Sequence, residues 1–189
     1  MRKHSSSESA GGEVVVGVGD CRIARYPVPS LSTFALGSCI AVVVYDWKTR
    51  TGGLLHAMLP DSSIDRSPGG SNPFVYMDTG VPELFQRLAA VGCSKHSLRC
   101  CVVGGAAMMA DSSLFEIGKR NYLALRKAFW RHGILTDQED VGGFESRSVR
   151  LDLETGRIVL RKGAGSERGL MPAGLSLPGR DLSHASVAR

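Results

Sequence analysis

Long hydrophobic runs are missing from this 189-residue sequence. None approaches the roughly 18 residues that a bilayer-crossing helix needs, so no membrane insertion is expected. The basic start, Arg2-Lys3-His4, runs into Ser and Gly rather than an apolar core. No secretory signal is read there, and a cytoplasmic location is expected. Cysteine is sparse: Cys21, Cys39, Cys93, Cys100 and Cys101 are odd in number and show no CxxC spacing. That argues against a disulfide framework and against a four-ligand zinc site. The five histidines lack HxH and HExxH spacings, so no metal site is predicted. Aromatic residues make up only 6% and do not interleave with Lys and Arg, so the formal charge of +5 is not read as a nucleic-acid surface. A basic surface does suit an acidic protein partner.

What remains is ordinary globular material, 43% hydrophobic and 22% charged, in a length that suits one domain with a real core. Residues 1–12 are polar and rich in Gly and Ser, and residues 163–189 lack periodicity. Both are expected to be flexible tails around a folded unit spanning 13–162. Within it, "EVVVGV" and "CRIARY" flank Gly19-Asp20 and suggest a strand pair. "IAVVVYD" and "GLLHAML" are nearly continuous apolar runs joined by "WKTRTG", the pattern of neighbouring strands buried on both faces. "DSSIDRSPGGSNP" (61–73) reads as a long polar loop.

"TGVPELFQRLAAVG" has helical spacing and ends at Gly92; "GKRNYLALRKAFWRHG" does the same and ends at Gly133. "SLRCCVVGG", "ILTDQEDVGG", "SRSVRLDL" and "RIVLRK" supply further strands. The expected class is α/β, α+β-like, a layered domain of mixed sheets with two main helices.

Two segments carry candidate chemistry. Cys39 follows the Gly37-Ser38 bend, where backbone N–H groups can face a developing oxyanion beside an accessible thiol. His56 lies in the next apolar run, and an imidazole can pass a proton both ways near neutral pH. From spacing alone a nucleophilic Cys39 and a merely buried one both stay open, and burial is the commoner fate of such a thiol. A Ser38–His56 pairing with Asp46 or Asp61 is formally open too, without the GxSxG elbow. Gly104-Gly105 ends a strand without the Lys and Ser/Thr of a phosphate loop, and is read as tight packing near a site.

In order along the chain, "TFALGSCIAVVVYD", "GGLLHAMLP", "YMDTGVPELFQRLAAVG", "VVGGAAMM", "IGKRN" and "VGGFESRSVRLDLETGRIVLRKG" resemble the CheD family, the chemoreceptor glutamine deamidases of bacterial chemotaxis. The resemblance implies a cysteine hydrolase that converts receptor glutamine to glutamate through a thioester. It puts the nucleophile on Cys39, the general base on His56 and a third catalytic residue, six positions before the cysteine, on Thr33. Backbone donors at Ser38 and Cys39 are the oxyanion candidates. No cofactor is implied. The implied partners are the cytoplasmic helices of chemoreceptors and, in some bacteria, the phosphatase CheC. One departure stands out: Ser146 precedes Arg147 where the family usually has glycine, and a left-handed backbone there would strain a serine. Two alternatives stay beside the deamidase: a non-catalytic adaptor docking on receptors or CheC, and a receptor glutamate methylesterase.

Overall fold

A computed structural model describes residues 12–64, 72–107 and 112–170. The strands are β1 (Glu13–Val15), β2 (Asp20–Arg25), β3 (Ser30–Leu36), β4 (Ile40–Asp46) and β5 (Thr51–Ala57). Helix α1 (Met77–Ala90) precedes β6 (Leu98–Gly104), and α2 (Ser112–His132) precedes β7 (Gln138–Val141). The chain closes with β8 (Arg147–Asp152), β9 (Ile158–Lys162) and β10 (Glu167–Leu170).

These strands make two five-stranded sheets, in the orders β1-β3-β8-β9-β10 and β2-β5-β4-β6-β7. Each is mixed, with one parallel pair: β1 on β3, and β6 on β7. The layers are sheet, sheet, helices, in agreement with the expected class. Strand β4 shows why. Its alternate residues Ala41, Val43 and Tyr45 enter the core between the sheets, where they join Leu31, Leu54, Val103 and Leu151. Ile40, Val42 and Val44 enter the other core, with Leu84, Leu88, Leu125 and Phe129 of the helices. A strand between two apolar layers is apolar on both faces along its middle, and all seven residues of β4 and of β5 are buried, with the polar Asp46, Thr51 and His56 near their ends. Truncating one of the helix contacts, as in Leu84→Ala, costs about 2–5 kcal/mol.

Several expectations need correction. The segments on either side of Gly19 do not pair with each other: β1 joins β3 in one sheet, while β2 lies antiparallel to β5 in the other. The chain changes layer there instead of making a hairpin. Strand β3 had no expectation at all, because Ser30, Ser32 and Thr33 interrupt its apolar pattern; all three are buried. Helix α1 begins at Met77, two residues before the expected start, which places Pro82 in its second turn. Helix α2 begins at Ser112, ahead of "GKRNY". The sheet also continues past 162, since β10 pairs with β9 and Leu170 is buried. Of the expected tails and the 61–73 loop, residues 1–11, 65–71 and 171–189 lie outside the described residues.

Candidate active site

The β4–β5 register sets Ala41 opposite His56 and Ile40 opposite Ala57. Ala41 faces the inter-sheet core, and Cys39, two residues earlier, packs against that same core. His56 shares this face with Leu54, two residues before it. Cys39 and His56 are therefore diagonal neighbours at the open end of one hairpin. Such a diagonal separates backbones by roughly 7–8 Å, within reach of a thiol and an imidazole.

Thr33 comes from the opposite sheet. Its Oγ1 lies 2.8 Å from His56 Nδ1 and donates its only hydrogen to the carbonyl of Val16 at 2.7 Å. One hydroxyl hydrogen cannot serve both contacts, so Nδ1 carries the imidazole proton and Nε2 keeps its lone pair. Nε2 is buried and has no hydrogen-bond partner among the described residues. The backbone just after Thr33 is irregular: pairing with β8 shifts between Thr33 and Leu36, and Ala35 takes a left-handed φ of 56°. This bulge turns Phe34 and Ala35 outward, while Thr33 and Leu36 both face inward. A regular strand would have pointed one of that pair away.

The Gly37–Ser38–Cys39 loop is tied down through its carbonyls. Gly37 O accepts from Ala106 N–H and Cys39 O from Gly105 N–H, each at 2.8 Å. Ser38 O accepts from Asn121 Nδ2 at 3.0 Å. Gly104 makes room for this: its φ is 121°, and a Cβ there would lie 2.2 Å from Cys39 O. Any side chain at 104 would push the loop off the sheet.

Burial holds the His56 imidazole down to about 4 from its ordinary 6.5. Burial raises the Cys39 thiol, and its own backbone N–H partly offsets that. Both groups are thus neutral at neutral pH, and the arrangement suits transfer of the thiol proton during attack rather than a stored ion pair. The other thiols are less apt. Burial drives Cys21 and Cys101 up to about 12 and Cys100 well above its ordinary value.

The Ser38–His56–Asp alternative fails on position. Asp46 pairs with Thr51 at the far end of the hairpin and is spent on the N–H groups of Lys48, Thr49 and Ser94. Asp61 is exposed and accepts from Ser63 N–H. Among the described residues no group of three His, Cys, Asp or Glu side chains could hold a metal ion. A hollow of about 520 Å³ between α1, α2 and the start of β6, lined by Pro82, Phe85, Arg99 and Leu135, contains none of the candidate site residues.

A family model described as CheD chemotactic sensory transduction matches residues 58–162, more than half of the chain. "Probable chemoreceptor glutamine deamidase CheD" of Solibacter usitatus is 47% identical over 161 residues, covering 85% of this chain and 95% of that protein. The chain belongs to the CheD family. "Probable chemoreceptor glutamine deamidase CheD 1" of Syntrophus aciditrophicus is 42% identical, over 84% of this chain and 99% of its own. "Chemoreceptor glutamine deamidase CheD" of Bacillus licheniformis is 37% identical, over 77% and 88%. A crystal structure of a Neisseria meningitidis protein superposes with a TM-score of 0.37 at 11% identity, over 70% of this chain and 60% of that one, too loosely to bear on fold or function.

Where this CheD-family chain departs from the usual pattern, the backbone accommodates the change. Ser146 is absent from the left-handed region, where only Ala35 and Arg50 stand among non-glycine residues described. Its carbonyl accepts from Gly163 N–H at 2.9 Å, and the neighbouring Arg147 side chain forks onto Asp140. Asn121, in the quoted "IGKRN", was given no role from sequence. Its partners are carbonyls 83 and 63 residues away, which no local pattern reveals.

Proposed function

We propose that this chain is a chemoreceptor glutamine deamidase in which Cys39 is the nucleophile, His56 the general base and acid, and Thr33 the residue that orients His56. The observation that carries this reading is the Val16–Thr33–His56 hydrogen-bond chain. It leaves the basic nitrogen of His56 on the face shared with Cys39.

The reaction then runs in two halves. His56 Nε2 takes the proton of Cys39 as sulfur attacks the side-chain amide carbon of a receptor glutamine. The N–H groups of Ser38 and Cys39 stabilise the oxyanion, a contribution of about 3 kcal/mol per well-placed donor. The imidazolium gives its proton to the amide nitrogen, the C–N bond breaks, and ammonia leaves a glutamyl thioester. Water attacks that thioester, giving its proton to Nε2. The thioester C–S bond breaks, the thiol is restored and glutamate is released. Thr33 holds Nδ1–H throughout, so the same nitrogen serves as base and acid.

The substrate is expected on the cytoplasmic helices of chemoreceptors, which places this enzyme in the cytoplasm. Its formal charge of +5 favours encounter with acidic helical surfaces. Where the phosphatase CheC is present, it is a second expected partner. Incubating the protein with a receptor cytoplasmic fragment and mapping the products by mass spectrometry tests the reading. Glutamines should gain the mass of amide-to-acid conversion, and Cys39→Ala should abolish the change. Release of methanol from methylated receptor, with no change at glutamine, would point to the esterase instead.

A further inference from the structure

The side chain of Asn121 is fully buried, and its two amide ends are treated very differently. Nδ2 bridges two carbonyls, Ser38 O at 3.0 Å and Met58 O at 2.9 Å. Oδ1 is buried with no partner among the described residues. The amide cannot be turned round, because its oxygen would then face two carbonyl oxygens. A buried acceptor left open is uncommon and costs stability, so the two bonds on the other end warrant an explanation.

The two carbonyls belong to the catalytic strands. Ser38 immediately precedes Cys39, and Met58 lies two residues beyond His56. One NH₂ group therefore spans the gap between the nucleophile loop and the end of the histidine strand. Ser38 O matters for a second reason. A trans peptide is planar, and its C=O and the following N–H point in opposite directions. Holding Ser38 O toward α2 thus aims Cys39 N–H away from α2. The flanking carbonyls, Gly37 O and Cys39 O, are held by backbone N–H groups of Ala106 and Gly105. The tie on Ser38 is the one made by a side chain. Helix α2 is close enough to bear on the loop: a Cβ on Gly118, one turn before Asn121, would lie 2.7 Å from Gly105 O.

We infer that Asn121 is a positioning residue for deamidation, fixing the spacing of Cys39 and His56 and aiming the Cys39 N–H at the oxyanion. It touches neither substrate nor reacting atoms. The inference rests on the reading of Cys39 as nucleophile.

The test compares Asn121→Leu, which keeps bulk and loses both donors, with Leu125→Ala, which loosens α2 from the core without touching the loop. Both are assayed on a receptor cytoplasmic fragment at matched concentrations of folded protein. For Asn121→Leu, kcat should fall about 100-fold with KM within about threefold of the parent, as a misplaced reacting group predicts. Alkylation of Cys39 by iodoacetamide, followed at its own peptide by mass spectrometry, should slow about tenfold as the thiol loses its set spacing from the His56 base. Leu125→Ala should lower the melting temperature yet leave both rates near the parent's. If Asn121→Leu does not fold, Asn121→Ala removes both donors without added bulk and should give the same losses. Parent-like kcat and alkylation in a folded Asn121 variant overturns the inference, and so does an equal loss in Leu125→Ala. Alkylation needs no receptor, so the outcome is separable from the enzyme reading, which fails if the parent converts no receptor glutamine or if Cys39→Ala still does.

Discussion

At the turn end of the β4–β5 hairpin, Asp46 is buried and accepts from the N–H groups of Lys48, Thr49 and Ser94. Burial alone would lift its carboxyl, but Ser94, Ser97, Thr49 and Lys48 outweigh that and hold it below the ordinary carboxylate value. At the open end of the same hairpin, His56 and Asn121 are equally buried, and each keeps one atom without a partner among the described residues. Both ends bury polar groups in one continuous apolar frame. Completed hydrogen bonding identifies the first as a structural joint, which ties the β4–β5 turn to the loop before β6. Incomplete bonding at the second supports the proposed chemistry there, since an idle buried nitrogen is a cost that the reaction would put to use.

Substitutions at the two ends should therefore fail in different ways. His56→Gln removes the proposed proton shuttle and should slow deamidation by about 100- to 10,000-fold, with near-parent folding by circular dichroism. The same histidine sets a pH dependence of stability. Between pH 6.5 and about 4 the unfolded chain takes up a proton that the folded chain refuses. Stability should fall as pH drops through that window, by roughly 3 kcal/mol at its lower edge, and His56→Gln should flatten this slope. Urea unfolding at the two limits of the window measures it. Thr33→Val keeps the shape and loses the acceptor for Nδ1–H; kcat should fall roughly 10- to 100-fold, while Thr33→Ser stays near the parent. Asp46→Asn, at the other end, should lower stability by about 2–3 kcal/mol in urea unfolding yet leave kcat of the folded protein unchanged. A large rate loss there would erase the distinction between the ends.

The apolar frame was legible in the sequence because β4 and β5 sit between two cores, and continuous Val, Leu and Ile runs have few other uses. The hairpin connection was legible for the same reason, and with it the nearness of Cys39 and His56. Strand β3 was not, since Thr33 interrupts its inward face between Leu31 and Leu36, and Ser30 and Ser32 on its other face supply no polar–apolar alternation. Thr33 consequently came forward only through family resemblance; local composition gives no hint that its hydroxyl crosses to the other sheet. The false pairing of β1 with β2 arose because a Gly-Asp corner marks a change of direction without saying which sheet follows. Asn121 was beyond sequence patterning, as its partners are backbone carbonyls brought in by tertiary packing.

The central claim is that the thiol beside His56 attacks a receptor glutamine. Acid-quenched mass spectrometry of the protein with a receptor cytoplasmic fragment tests it most directly. The account predicts a glutamyl thioester on the peptide containing Cys39, which accumulates when hydrolysis is slowed, and no receptor conversion with Cys39→Ala. Undiminished conversion of glutamine to glutamate by Cys39→Ala would contradict it.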